Sequence, residues 1–173
     1  DTMNALTAYE RSALEAIDFY RDWDSGYSKI QSTRPQTLAY GLADSTVGQM
    51  AWIVENFYSW TDCERDGISH PENVMSRDEL LDNVMLYWLN NTAGSSARLY
   101  WESLGKAGFD TINIPVGWSM FAKDIFRASR RWAEKRYSKL VYWNELERGG
   151  HFPALELPAT FVAEIRNCFR LLR

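Results

Sequence analysis

Apolar residues recur every three or four positions through most of the first hundred residues, which is the spacing of amphipathic helices. The first predicted helix lies in "TAYERSALEAIDFYRDW", where Thr7 and Glu10 have the spacing of a capping box. Ser25 and Gly26 are expected to break it. A short helix should begin near Pro35, because proline suits a first helical turn.

Helical spacing then continues to about residue 103. "DSTVGQMAWIVENFYSW" is a predicted helix with Asp44 or Ser45 as its N-cap, and "SRDELLDNVMLYWLNN" begins with a second capping box, Ser76 and Glu79. "SSARLYWESL" closes the helical part. Residues 61–75 are polar and contain glycine and proline, so the sequence predicts a surface loop there.

The pattern changes near residue 109. "TINIPVGWSM" and "KLVYWNELE" are apolar, β-branched runs typical of buried strands, and "SRRWAEKRY" and "LPATFVAEIRNCFRLLR" have helical spacing. This strand–helix–strand–helix order is typical of parallel α/β structure. The sequence therefore predicts a helical region over residues 1–108 and part of an α/β core over 109–173.

Two parallel strands cannot bury both of their faces or satisfy their own edges. We therefore expect the chain to be one part of a larger α/β fold whose other strands come from elsewhere. The alternative is a strand hidden within the helical part.

Composition and charge exclude several functions. A net charge of −4 and a pI near 5.2 argue against nucleic-acid and anionic-membrane partners. No apolar run approaches the ~20 residues of a membrane span, and no signal peptide is evident. Cys63 and Cys168 are interpreted as structural thiols, which favours a cytoplasmic protein. Neither a phosphate-binding loop nor a Cys/His cluster is present in the sequence, so no metal or nucleotide cofactor is expected.

"ERGGHF" is the candidate site. His151 follows Gly149 and Gly150, which allow close backbone approach and unusual dihedral angles. Histidine is the usual general base near neutral pH. The alternative is a buried histidine that hydrogen-bonds to the backbone.

Asp124 follows the first predicted strand by a few residues, where a loop can present a carboxylate to a histidine. The alternative is a solvated charge in the first turn of a short helix. Glu145 and Glu147 compete for the orienting role because they lie close to His151 in sequence, although an acid from a separate loop is easier to aim.

Four segments resemble, in collinear order, the microsomal-type epoxide hydrolases in their bacterial branch. They are "SGYSKIQSTRPQTLAYGLADSTVGQMAWIVENFYSWTD", "DELLDNVMLYWLNNTAGSSARLYWES", "IPVGWSMFAKDIF" and "ERGGHFPALELP". The resemblance covers the C-terminal portion of such enzymes, namely the helical cap, here 1–108, and the last two strands of an α/β-hydrolase core, here 109–173. The nucleophile elbow and the oxyanion-hole loop of the family have no counterpart.

The resemblance implies that an aspartate attacks an apolar epoxide to form an ester while two cap tyrosines hold the epoxide oxygen. A histidine oriented by an acid then activates water. Carried onto this chain, the histidine is His151, the acid is Asp124, and the tyrosines are Tyr27 and Tyr100. The nucleophilic aspartate must come from an upstream half. Assembly as a homodimer stays open.

Other interpretations also remain. By spacing alone, Tyr27 and Tyr100 would more often be core residues, and Tyr40 and Tyr87 are assigned to the core. The chain could instead be a truncated, non-catalytic relative that binds an apolar ligand or a partner. Ester or carbon–halogen cleavage on the same fold is a third function, which the tyrosine pair disfavours.

Overall fold

The computed structural model describes residues 5–105, 108 and 110–173. The helices are α1 (Ala8–Phe19), α2 (Gly26–Thr33), α3 (Pro35–Asp44), α4 (Thr46–Trp60), α5 (Arg77–Trp88), α6 (Ala93–Ser103), α7 (Arg130–Arg136), α8 (Pro153–Glu156) and α9 (Pro158–Arg170). The strands are β1 (Glu64–Arg65), β2 (Ile68–Ser69), β3 (Val116–Met120) and β4 (Leu140–Glu145). A π-helical turn covers Tyr20–Asp24, and a 3-10 turn covers Pro71–Asn73. None of the described helices is long and apolar enough to cross a membrane.

The predicted helix starts are confirmed. Both capping boxes form, the first at α1 and the second at α5, and α3 begins at its proline. Of the two candidate caps for α4, it is Ser45 whose hydroxyl accepts the Gly48 amide, at 3.0 Å. Side-chain acceptors satisfy amides that have no partner inside the helix.

The predicted break at Ser25 and Gly26 is confirmed, because the helical stretch that begins with α1 ends in a turn at Ser25 and a separate helix, α2, begins at Gly26. The prediction for residues 61–75 is wrong in part. Residues 61–75 are not only a surface loop: β1 and β2 form a short antiparallel pair, and Cys63, Pro71 and Met75 are buried. The side-chain amide of Asn73 holds this segment together. It donates to the backbone carbonyl of Cys63 at 2.8 Å and to that of Ile68 at 3.1 Å.

The predicted pair of parallel strands is confirmed. β3 pairs with β4 from Val116 opposite Leu140 to Met120 opposite Glu145, with one shift in register after Val116. Within the described residues the two strands form a two-stranded sheet. The chain thus holds a partial α/β core, as the sequence predicts.

Helix α9 lies close against β3. A side chain at Gly117 would place its Cβ 2.2 Å from the Cys168 sulfur, so the Cys168 side chain would have to move to accommodate it. Glu164 of α9 is buried and accepts hydrogen bonds from Ser119 at 2.8 Å, from Tyr142 at 3.0 Å and from the Asn144 amide at 2.9 Å. Cys63 and Cys168 are both free thiols.

The chain divides into two compact units. One contains Asp1–Arg21, Trp60–Asp62 and Phe109–Arg173, and the other contains Asp22–Ser59 and Cys63–Gly108. The helical region predicted over residues 1–108 thus includes two segments that belong with the strands.

Helix α1 is fixed to the strand-containing unit by a buried carboxylate. Glu10 is fully buried and accepts hydrogen bonds from the Arg131 guanidinium, the Ser129 hydroxyl and the Thr7 backbone amide. The Arg131 hydrogen bond is the main cause that lowers the pKa of the Glu10 carboxyl, and the hydrogen bonds from Ser129 and Thr7 lower it further.

We predict that Glu10→Gln destabilises the chain at neutral pH and that its effect fades in acid. Because the folded-state pKa is lowered, the stabilisation is present above the unfolded carboxyl pKa of about 4.3 and is lost as pH falls below it. The measurement is the urea midpoint, followed by tryptophan fluorescence, at pH 7 and pH 3. Glu72→Gln is the control, because the Glu72–Arg77 pair is solvent-exposed and should matter little. Equal midpoints for wild type and Glu10→Gln at pH 7 would contradict the prediction.

Candidate active site

The turn that carries His151 requires both of its glycines. Gly149 has a φ of +99°, which is the left-handed region that disfavours side chains. Gly150 lies against backbone: a Cβ there would be 2.3 Å from the Trp60 carbonyl oxygen and 2.8 Å from the Thr61 Cα. The two glycines of "RGGHF" predict a close approach between backbone segments. That approach is made to the last residue of α4 and the residue that follows it.

Glu156 holds the amides on both sides of the histidine. Its Oε2 accepts the Gly150 amide at 2.9 Å and its Oε1 accepts the Phe152 amide at 3.0 Å. Oε2 also accepts the Asp62 amide at 2.8 Å. The residue is only 8% exposed, so this carboxylate is dedicated to backbone amides rather than to solvent.

The last residue of α4 and the segment after it accept the two remaining amides of the turn. The His151 amide donates to the Trp60 carbonyl at 2.7 Å, and the Gly149 amide donates to the Asp62 carboxylate at 3.0 Å. Four consecutive amides, from 149 to 152, are thereby satisfied by acceptors that are not part of a helical or sheet hydrogen-bond ladder. This fixes the backbone of the turn without any regular secondary structure.

Asp124 contacts the histidine ring. Its Oδ1 lies 2.9 Å from His151 Nδ1, and the same oxygen accepts the Phe126 amide at 3.3 Å. If Nδ1 carries the proton and donates it to the carboxylate, Nε2 is left to accept one. The competing acids lie elsewhere: Glu145 accepts a hydrogen bond from the Trp143 indole, and Glu147 is exposed.

The loops that carry the two residues are joined directly. Asp124 lies in the loop after β3 and His151 in the loop after β4, and the Lys123 amide donates to the Gly149 carbonyl at 2.9 Å. Because β3 and β4 are parallel, their carboxyl ends meet at one edge of the sheet.

Aromatic rings surround the histidine on one side. Trp60 contacts it edge-on with ring centroids 5.4 Å apart, and Phe152 does so at 5.2 Å. The His151 and Asp124 side chains remain 35% and 25% exposed. Both line a cavity of about 350 Å³ whose walls include Phe121, Phe161 and Phe169. A half-exposed imidazole with an oriented carboxylate beside an apolar cavity can act as a general base on water.

The structure brings Tyr27 and Tyr100 together in the compact unit that contains Asp22–Ser59 and Cys63–Gly108. Tyr27 lies in the first turn of α2 and Tyr100 near the end of α6, and the two helices pack together. Their ring centroids are 5.8 Å apart and their planes are nearly perpendicular. Both side chains are half-buried.

The other two tyrosines differ from each other. Tyr87 is half-buried, whereas Tyr40 is 68% exposed, so its assignment to the core is wrong. Helix α3 buries Ala39 and Leu42 instead, which turns Tyr40 towards solvent.

Sequence analysis did not identify Glu156, Asp62 or the Trp60 carbonyl as parts of the histidine turn. One signal was available, because Glu156 is the single charge in the otherwise apolar "FPALELP". Asp62 gave no signal, since it lies in a polar segment 87 residues before Gly149.

We predict that Gly150→Ala lowers the melting temperature by several degrees. The new Cβ would meet backbone atoms that cannot rotate away, and overpacking of this kind costs about 1–3 kcal/mol. Gly41→Ala is the matched control, because its Cβ would meet no atom within 4 Å and alanine is the better helix former. Thermal unfolding followed by circular dichroism measures both; an unchanged melting temperature for Gly150→Ala would contradict the close contact.

The chain is similar in sequence to proteins that are named epoxide hydrolases. No family model matches the chain. It is 52% identical over 170 residues to a Stigmatella aurantiaca protein named "Putative epoxide hydrolase", covering 97% of this chain and 38% of that protein. It is 38% identical to epoxide hydrolase 1 of Sus scrofa, covering 86% of this chain and 35% of that protein.

Solved structures give the same result. The epoxide hydrolase of Aspergillus niger superposes with a TM-score of 0.83 at 26% identity, covering 98% of this chain and 42% of that one. The chain therefore spans about two-fifths or less of the length of the proteins that it matches.

Proposed function

We propose that this chain, which belongs to the epoxide hydrolase family and corresponds to the C-terminal part of its α/β-hydrolase fold, supplies the general base, its orienting acid and two oxygen-binding tyrosines to an epoxide-hydrolysing site. The observation that carries the proposal is the 2.9 Å contact between His151 Nδ1 and Asp124. The nucleophilic aspartate comes from a segment of the enzyme outside this chain. The substrates are an apolar epoxide and water.

In the first step the aspartate carboxylate attacks an epoxide carbon. A carbon–oxygen bond to the aspartate forms, the carbon–oxygen bond of the ring breaks, and the ring oxygen takes a proton from a tyrosine hydroxyl. Tyr27 and Tyr100 suit this role because a phenol stays protonated at neutral pH. Their ring centroids lie 5.8 Å apart, which supports the proposal that both hydroxyls donate to the same epoxide oxygen.

In the second step His151 Nε2 removes a proton from water, and the resulting hydroxide attacks the ester carbonyl. The bond between the carbonyl carbon and the alkyl oxygen breaks, and the departing alkoxide takes the proton of the newly formed carboxylic acid, which gives a vicinal diol and regenerates the aspartate carboxylate. The proton on the imidazolium returns to the tyrosinate through solvent. Asp124 stabilises the imidazolium while it exists.

We predict that His151→Gln blocks the second step and leaves the first. In the complete enzyme, the ester should form at close to the wild-type rate and then persist, because hydrolysis loses a base worth about 10²–10⁴-fold. Intact-protein mass spectrometry after rapid quenching detects the ester as the mass of the epoxide added to the enzyme. His70→Gln is the control, since His70 lies in the other compact unit and caps the turn Pro71–Asn73. Wild-type turnover by His151→Gln would exclude the proposed base.

We predict that Tyr27→Phe and Tyr100→Phe each slow ester formation, by about 10²-fold, because a donor to the developing oxyanion is lost. Single-turnover kinetics with excess enzyme measures this step alone. Tyr40→Phe serves as the control, because that hydroxyl lies on an exposed face of α3. If all three variants form the ester at the wild-type rate, the tyrosine pair does not act on the epoxide; a complete wild-type enzyme that forms no ester would instead favour the non-catalytic binding module.

The sequence predicts a cytoplasmic location and leaves assembly as a homodimer open. The location stays a prediction, and so does the possible homodimer.

A further inference from the structure

We infer that Glu156 is a positioning residue of the ester-hydrolysis step, because its carboxylate holds the backbone on both sides of His151. This inference rests on the proposed function and extends it to a residue outside the histidine, the acid and the tyrosines. Glu156 itself contacts backbone amides and acts through the histidine.

The Glu156 carboxylate accepts three backbone amides. The Gly150 and Phe152 amides flank His151 directly, and the Asp62 amide belongs to the segment that also accepts the His151 amide through Trp60. One carboxylate thus connects the histidine turn to the segment after α4. Asp62 and Glu156 are 94 residues apart in sequence, so this link fixes the turn to a distant part of the chain.

Only a carboxylate fits these three donors. Both oxygens of Glu156 accept, Oε1 from one amide and Oε2 from two. A glutamine has one acceptor oxygen, and its NH2 group would face an N–H donor. Since the site is 8% exposed, water cannot readily replace the lost acceptor.

The histidine must be placed precisely for the proposed reaction. His151 must keep Nδ1 on Asp124 while Nε2 faces the attacking water, and a shift of about 1 Å in such a geometry can cost 10²-fold in rate. Ester formation uses the aspartate and the tyrosines, so a displaced histidine slows the second step alone.

The experiment compares Glu156→Gln with Glu156→Asp in the complete enzyme. Ester formation and ester hydrolysis are measured separately, by single-turnover kinetics with rapid quenching and intact-protein mass spectrometry. We expect Glu156→Gln to form the ester within about twofold of the wild-type rate and to hydrolyse it about 10–100-fold more slowly. Glu156→Asp keeps two acceptor oxygens and should recover part of the hydrolysis rate.

Glu147→Gln is the matched control, because this exposed acid is near in sequence and should leave both steps unchanged. Circular dichroism checks that each variant is folded; if Glu156→Gln is not, a selective loss of hydrolysis in Glu156→Asp carries the test. Equal slowing of both steps, or wild-type hydrolysis in both variants, overturns the inference and leaves the proposed function intact. A wild-type enzyme that never forms an ester overturns the proposed function and this inference with it.

Discussion

The parallel pairing of β3 with β4 is the constraint on which the candidate site depends. Parallel strands present their carboxyl ends at the same edge of a sheet, so the loops that follow them meet. Asp124 and His151 are 27 residues apart and become hydrogen-bonded partners for this reason. The Lys123 amide on the Gly149 carbonyl then joins the two loops through their backbones. In an antiparallel pair, the carboxyl ends of the two strands would lie at opposite ends of the sheet, and the loops that follow them would not meet.

The histidine turn is held by acceptors rather than by secondary structure. Gly149 and Gly150 remove two side chains so that the backbone can approach Phe121 and the end of α4. That approach buries amides, and each must find an acceptor. Glu156 and Asp62 supply carboxylate oxygens for three of the four amides of the turn, and the Trp60 carbonyl accepts the fourth. The absence of side chains at the two glycines and the presence of these carboxylate acceptors therefore depend on each other.

The features that sequence analysis predicted are those encoded by neighbours along the chain. Capping boxes need residues three apart, so Thr7 with Glu10 and Ser76 with Glu79 could be recognised. The apolar runs of β3 and β4 were also local patterns, and Asp124 was a candidate because it follows the first of these runs by a few residues. Asp62 could not be found, because its role depends on a contact with a segment that is 87 residues away. Tyr40 was misassigned because an aromatic ring in an apolar helix does not by itself reveal which face is buried.

Two buried glutamates show why the site can be ordered in a partial sheet. Glu164 joins α9 to both strands through the side chains of Ser119, Tyr142 and Asn144, and burial, followed by the Glu164 hydrogen bond, raises the pKa of Tyr142. Glu156 performs the corresponding task for the turn through backbone amides. Each carboxylate has hydrogen-bond donors from its own compact unit, so neither buried charge depends on a strand from elsewhere. In the proposed enzyme, the half that carries the nucleophile therefore meets a histidine whose orientation this chain has already fixed.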